Sequence, residues 1–288
     1  MANCIAGIDH VIVGVRHLEG ARASYERLGF RPTPRGRHVG WGTANYCIMF
    51  PNDYLELLGI VDPSKFTNDL DRFLEDREGL MALALRSSDP EGTHAGWRGA
   101  GLGPDAVADL SRLLEPDIEL RFRNVMLPSR ATGDVPLFAC AHLTPEPMRR
   151  PEWLEHPNGA IGIASLTVAV EESGPLFAPM GAVFGTDNLT ETDDTLAVHT
   201  GQGMLLLATP DDLEMLHPEL EPMALDSLPA LAVLTLVVHD IGLTADCLDR
   251  QDVAYRRNAA GALGLSPTAT HGVTMEFVGS AAERSSLW

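Results

Sequence analysis

The sequence predicts an α+β protein of four similar passes arranged as two paired halves. Three observations carry that expectation. Short runs rich in leucine and β-branched residues open and close each pass. Helical spacing of apolar residues follows an opening run rather than standing alone. Proline-rich connectors divide the chain near its middle, at about 143–160. The exits of the four opening runs also match in character: Val15-Arg16-His17, Leu85-Arg86-Ser87, Val170-Glu171-Glu172 and Val238-His239-Asp240 each pass from apolar to polar. Repetition at this scale marks a supersecondary unit that buries its face against copies of itself.

Taken in order, the first pass opens with a strand over Ile8 to Val15. Leu18, Ala21, Tyr25 and Leu28 then recur at helical spacing, and Gly29 is placed to end that helix. Tyr46 to Phe50 and Tyr54 to Ile60 read as strands separated by the turn sequence Pro51-Asn52-Asp53. The second pass opens with Leu80 to Leu85. Its helix is expected over Pro104 to Leu114, behind a glycine-rich loop from Gly92 to Gly103, and strands near Arg121 to Leu127 and Leu137 to His142 complete it. Pro145, Pro147, Pro151 and Pro157 mark the connector, so residues 1–145 are expected to form the first half and residues 160–288 the second. The third pass runs from Ile163–Val170 to Met204–Ala208. A second connector covers Pro210 to Pro229. The fourth pass has strands at Leu231 to Val238 and Val273 to Val278, with a helix at Thr244 to Gln251.

Composition bounds the function. With 45% hydrophobic and 21% charged residues, the 288-residue chain has ample material for a core. Its net charge of −19 repels phosphate backbones and argues against nucleic-acid binding. Arg121, Arg123, Arg130, Arg149 and Arg150 make the middle the least acidic stretch, either as a solvated surface or facing a substrate. The longest apolar run, near Leu228 to Val238, is too short to cross a bilayer, and the first residues show no basic-then-apolar leader. Cys4, Cys47, Cys140 and Cys247 lie far apart and read as reduced thiols packed as small hydrophobes, which points to the cytoplasm. The sequence has no HExxH, Walker, GxSxG or GxGxxG motif, which argues against common hydrolase, nucleotide-binding and dehydrogenase classes.

The chemistry concentrates in two strands. Glu56 interrupts the apolar run Tyr54-Leu55-Glu56-Leu57-Leu58, and His10 stands near the start of Asp9-His10-Val11-Ile12-Val13. A buried carboxylate without a partner is costly. A carboxylate and an imidazole buried together make sense when they share a metal, a proton or a substrate. The bland alternatives stay open: His10 satisfied by the backbone or by Asp9, and Glu56 facing solvent on an alternating strand. His38 sits in a glycine-bounded loop, while His17, His94, His156, His199, His217 and His239 read as surface or loop residues.

The stretch IDHVIVGVRHLEGARASYERLGF followed by RHVGWGTANYCIMFPNDYLELLG resembles the βαβββ module of the vicinal oxygen chelate superfamily, and within it the glyoxalase-like domain subgroup. The resemblance is good over about the first 60 residues, weaker through PLFACAHLTPE, and a matter of module pattern beyond. It implies four βαβββ modules, with each pair curled into a half-open barrel. It implies metal ligands from opening and closing strands: His10, Glu56 and, less directly, His142 at the end of Leu137-Phe138-Ala139-Cys140-Ala141-His142. Such a set suits a divalent ion such as iron, manganese or zinc. The second module offers only Leu80, Met81 and Leu83 at the matching opening position, which departs from a four-ligand arrangement. In the second half the matching positions are Ser165, Val233, Leu207 and Glu276, with His271 just before Glu276, so that half reads as degenerate.

The resemblance therefore implies a metal-dependent enzyme of the isomerase, lyase or dioxygenase class. It would act on a small organic molecule in the first half, with Glu56 and His10 catalytic and Trp41, Asn45 and Tyr46 against the substrate. Two alternatives remain: a metal-free protein that binds or sequesters a small molecule, and a metal-free enzyme using Glu56 and His10 as acid and base. Four passes in one chain lean towards a monomer, with a homodimer open.

Overall fold

A computed structural model describes residues 4–114, 117–192, 194–218, 220, 225 and 227–280. Four βαβββ modules follow one another. The first contains β1 (Ile5–Gly14), α1 (Leu18–Arg27), β2 (Gly36–His38), β3 (Thr43–Met49) and β4 (Tyr54–Ile60), and is followed by α2 (Leu70–Asp76). The second contains β5 (Gly79–Ser87), α3 (Pro90–Gly99), β6 (Ala108–Leu114), β7 (Ile118–Met126) and β8 (Leu137–His142), followed by α4 (Pro151–Leu154). The third contains β9 (Ala160–Ala169), α5 (Phe177–Phe184), β10 (Leu189–Thr192), β11 (Thr195–His199) and β12 (Met204–Ala208), followed by α6 (Pro210–Leu216). The fourth contains β13 (Ala230–Val238), α7 (Ile241–Arg250), β14 (Tyr255–Arg257), β15 (Leu263–Leu265) and β16 (Thr274–Gly279).

The two halves close differently. In the first, the strands run β1-β4-β3-β2-β6-β7-β8-β5 and return on themselves as a barrel. Closure comes from antiparallel pairing of β2 with β6, which sets Gly36 against Leu114, Arg37 against Leu113 and His38 against Arg112. The half-open barrel implied by the family resemblance is thus a closed one here. The third and fourth modules make an open eight-stranded sheet in the order β10-β11-β12-β9-β13-β16-β15-β14.

Helices α1 and α3 of the first half reach the second half. Tyr25 of α1, with Phe30 and Phe277, belongs to one apolar cluster that draws on both halves. Tyr25 Oη donates to the Thr270 carbonyl at 3.1 Å, and Trp97 Nε1 of α3 donates to the Val183 carbonyl of α5 at 3.2 Å. Asn158, in the connector, donates through Nδ2 to the Leu28 carbonyl at 2.9 Å. Helix α1 ends as its sequence suggests, with Gly29 at φ +83°, a conformation that costs a side chain-bearing residue.

One element of the second module differs from expectation. The stretch 104–114 was expected to be helical, but 108–114 is strand β6, and the helix lies earlier, inside the stretch read as a glycine-rich loop. The signals were Asp89-Pro90. Asp89 caps α3 by accepting from the Gly92 amide at 3.0 Å, and proline suits the first helical position. Burial of Thr93 and Trp97 then overrides the weak helix propensity of Gly92 and Gly96. The segment Pro210 to Pro229, expected as a connector, holds α6, capped by Thr209; residues 219, 221–224 and 226 lie outside the described residues.

Two histidines read as surface or loop residues lie outside helices and strands but are buried. His156 is held between the Arg31 amide, which donates to Nδ1 at 3.0 Å, and the Met49 carbonyl, 2.9 Å from Nε2. His217 follows α6 onto the second sheet, where Nδ1 lies 3.1 Å from Glu276 Oε2 and Nε2 lies 3.0 Å from Thr167 Oγ1. Thr235 Oγ1 also donates to Glu276, at 2.8 Å. That face is filled rather than hollow: Leu213 packs with Ala169, Ala208, Ala232 and Val233. His271 does not join it and hydrogen-bonds Ser24 at 3.0 Å.

Candidate functional site in the barrel

Strand alternation gives each barrel strand an inner face. Register sets His10 beside Tyr54 and Ile12 beside Glu56 on β1 and β4, so these four side chains point inward together. Below them, Cys47, Met49, Leu114, Leu120 and Met148 fill the barrel floor. Above is a cavity of about 270 Å³, lined mainly by apolar residues including Ile12, Leu58, Met81, Leu110, Phe122 and Met126. His10, His38, Glu56, Arg112 and Asn124 supply polar groups. At the mouth, Trp41 meets Phe66 edge-on with ring centroids 4.9 Å apart.

Glu56 is 5% exposed, which removes the reading in which it faces solvent. Its Oε2 lies 3.5 Å from His10 Nε2 and its Oε1 lies 3.8 Å from His38 Nε2, while Asn45 Nδ2 donates to Oε1. Burial pushes the Glu56 carboxyl up, but His10, then His38 and Arg112, with the Asn45 hydrogen bond, outweigh it and hold the group below its ordinary value. His38 hydrogen-bonds Thr43 Oγ1 through Nδ1 at 2.8 Å. Burial lowers its pKa to about 4, so its imidazole is neutral at physiological pH.

His10 is anchored by a local irregularity. Between Ile8 and His10 the pairing of β1 with β5 shifts, leaving Asp9 without a cross-strand partner. A bulge of this kind turns two successive side chains towards one face. His10 Nδ1 therefore donates to Asp9 Oδ1 at 2.6 Å, and the ring stacks on Tyr54 at 4.5 Å. His142 Nε2 reaches the same Asp9 oxygen at 2.9 Å. Burial alone would raise the Asp9 carboxyl; His142 and the hydrogen bonds from both imidazoles hold it well below the carboxylate range instead.

His10 and Glu56 are thus brought together with Asn45, and Trp41 stands at the cavity mouth. His142 is drawn aside to Asp9. Tyr46, next to Asn45, points to the opposite face of β3, where its hydroxyl donates to Glu19 at 2.8 Å. Sequence reasoning missed His38, Asp9 and Arg112 as site residues. For His38 the signal was the pairing of GRH with TAN across a glycine-containing turn. For Arg112 it was the alternation of Leu110, Arg112 and Leu114, obscured by reading the stretch as a helix.

Among the described residues one set of donors already stands at metal-binding spacing. Asp9, Cys140 and His142 have ligand atoms within 4.8 Å of one another. That set is closed: Asp9 is fully buried and already accepts from two imidazoles, and burial pushes the Cys140 thiol far up. His10, His38 and Glu56 line the cavity instead, with the carboxylate between the two imidazoles.

Paired βαβββ modules around an interior cavity define a protein of the vicinal oxygen chelate superfamily. The chain belongs to the glyoxalase-like domain family, whose model matches residues 8–184. No curated protein matches it in sequence. Among solved structures it is similar to a hypothetical protein from Staphylococcus aureus, with 13% identity and a TM-score of 0.69 over 95% of this chain and 99% of that one. It is also similar to a 4-hydroxymandelate synthase mutant from Streptomyces coelicolor, at 15% identity and TM-score 0.55 over 96% and 92% of the two chains. A fusion of a xylose isomerase-like TIM barrel with 4-hydroxyphenylpyruvate dioxygenase matches at 14% identity and TM-score 0.58, over 99% of this chain and 51% of that one. At these identities the likeness is one of fold. No helix among the described residues is long and apolar enough to cross a membrane.

Proposed function

We propose that the chain is a metal-dependent enzyme of the vicinal oxygen chelate class, acting on a small organic molecule in the first-half barrel. His10, His38 and Glu56 would hold the ion, with His38 in the place first assigned to His142. One observation carries this reading: two imidazoles, each anchored through Nδ1, direct Nε2 at the same carboxylate inside a cavity. Anchoring of the remote nitrogen by a carboxylate or hydroxyl is how metal-binding histidines are oriented. With the Nδ1–H of His10 donated to Asp9, Nε2 is the nitrogen that faces Glu56, whose oxygens carry lone pairs. A cation or a proton belongs between them. The separations of 3.5 and 3.8 Å are longer than hydrogen bonds. Each falls on a different oxygen of Glu56, so an ion held there would draw both imidazoles onto one carboxylate.

A divalent ion there supplies Lewis acidity towards oxygens of a substrate, in isomerase, lyase or dioxygenase chemistry. The chain's own residues do the rest. Asp9 fixes the tautomer of His10, Asn45 orients Glu56, Thr43 orients His38, and Tyr54 holds the His10 ring in plane. The apolar lining excludes water and strengthens each electrostatic contact. A second reading is favoured by the Asp9–His10–Glu56 chain, in which Glu56 and His10 move a proton without metal.

Elemental analysis of protein purified without chelator separates them. Near-stoichiometric metal in the wild type and in His142→Ala, lost in His10→Ala, His38→Ala and Glu56→Ala, is the expected result. No metal after incubation with iron(II), manganese and zinc would overturn the metal reading and favour the proton chain. Loss in His142→Ala with retention in His38→Ala would move the ion to Asp9, Cys140 and His142.

A further inference from the structure

The barrel encloses a fixed cation that no neighbouring carboxylate neutralises at close range. Arg112 is 3% exposed, yet its guanidinium touches only soft groups. Nη1 donates to Cys47 Sγ at 2.9 Å, Nη2 donates to Met148 Sδ at 3.3 Å, and the Phe122 ring centroid lies 5.5 Å from Cζ. Thiol and thioether sulfurs are weak acceptors. Nε has no partner, and among the described residues no carboxylate forms an ion pair with the group. Of the groups that act on it through space, Cys47 is a thiol and Tyr54 a phenol, both uncharged at neutral pH by ordinary chemistry. Glu56 is the remaining anion, and it is already engaged by Asn45 and two imidazoles.

Burying a charge without its counterion is expensive, and a fold keeps one where a partner arrives from outside. Arg112 lines the same cavity as Glu56 and is the direct cross-strand neighbour of His38. Space for its stem depends on Gly36: a Cβ there would collide with Asn45 Oδ1 and lie 3.0 Å from Arg112 Cδ. Asn45 Oδ1 is itself without a partner. Closing Nε onto that oxygen would satisfy both atoms and still leave the positive charge uncompensated.

We propose that Arg112 binds the anionic group of the substrate, and that the substrate class is a small organic acid whose carboxylate meets the guanidinium while its apolar body lies along the barrel wall. This deepens the functional reading above and rests on its assignment of the barrel cavity as the substrate site, with or without a bound metal. A carboxylate matches the planar fork of a guanidinium. A single negative charge balances the Arg112 cation, which has no ion-pair partner among the described residues. The cavity of about 270 Å³, with Ile12, Leu58, Leu110 and Met126 on its walls, suits an aryl or alkyl body. The charge is local: it gives a protein of net charge −19 an interior preference for anions that its surface lacks.

Calorimetric titration with matched acids and amides tests the proposal: phenylacetate against phenylacetamide, benzoate against benzamide, hexanoate against hexanamide. Wild-type protein is titrated as purified and after chelator treatment, beside Arg112→Met and Arg112→Lys. At least one acid is expected to bind the wild type tenfold or more tighter than its amide in both preparations. Arg112→Met should erase that preference with the near-ultraviolet circular dichroism unchanged, and Arg112→Lys should retain part of it. Absence of any acid that outbinds its amide overturns the proposal, and so does a preference that survives Arg112→Met. A preference lost on chelation and indifferent to Arg112 also overturns it, while leaving the metal reading intact. If Arg112→Met does not fold, a preference undiminished in Arg112→Lys is the overturning result.

Discussion

Asp53 offers a stability test that reaches across the two halves. It is fully buried at the turn before β4, where Oδ1 accepts from the Ile163 amide of β9 at 3.0 Å and Oδ2 accepts from Gln202 Nε2. Gln202 in turn accepts from Arg86 at 2.9 Å. Burial outweighs these hydrogen bonds and the nearby arginines, and pushes the Asp53 carboxyl from 3.8 up to about 7. A raised folded-state pKa means that the native protein binds the proton more tightly than the unfolded chain. Below the unfolded value both states are protonated and there is no penalty. Between the unfolded and the folded value the unfolded chain ionises while the native state keeps its proton, so stability falls across that window and levels off above it. At about 1.4 kcal/mol per pKa unit, the span amounts to roughly 4 kcal/mol. Asp53→Asn removes the titration. The unfolding free energy of the wild type, measured against this variant by urea denaturation from about pH 4 to about pH 8, should therefore fall by roughly 4 kcal/mol, most of it before neutrality. A constant offset from rearrangement of Gln202 is expected and leaves the slope untouched. Taking the difference also cancels the opposite slope of His156, whose imidazole burial lowers to about 4. A pH-independent difference, or one that grows with pH, would refute the assignment of Asp53 as a buried group that resists ionisation.

Thr43→Val removes the partner of His38 Nδ1 while nearly preserving shape. Metal affinity, read by competition with a chelating dye, should drop about 10- to 100-fold; unchanged affinity would deny His38 its anchored role. Gly36→Ala should lower the stability of the protein by roughly 1–3 kcal/mol, seen as a lower thermal midpoint, because its Cβ meets Asn45 and Arg112; an unaltered midpoint would show that the wall of the cavity has slack.

The modules were legible because their strands alternate and their helices follow fixed punctuation. Leu137–His142 and Met204–Ala208 match their predicted spans, and His10 and Glu56 could be paired because an interrupting charge in an apolar strand needs a reason. What escaped lies in features that local pattern does not encode. Arg112 sits between leucines in a segment whose helix-like composition hides an alternating strand, and only the closure of β2 on β6 makes it a neighbour of His38. Asp9 reaches His10 and His142 through a register shift that a single strand does not reveal. His217 owes its burial to the docking of α6 on the second sheet, a contact between segments about 60 residues apart, as its pairing with Glu276 reflects. His142 follows Phe138 and Cys140 on the inward side of its strand, and its ring meets Asp9 rather than Glu56, a choice of partner that the strand pattern alone does not make.

A closed barrel has no seam, and this bears on traffic. A sheet with a free edge can splay to admit a bulky guest, but strands joined all the way round cannot part without breaking a ladder of hydrogen bonds. Entry is left to the rim, where Phe66, 58% exposed, leans on the edge of Trp41. Swinging one phenyl ring is fast compared with separating strands. If the barrel takes a guest as proposed, a pair of aromatic side chains would act as its turnstile, while the walls behind them would decide which guests stay.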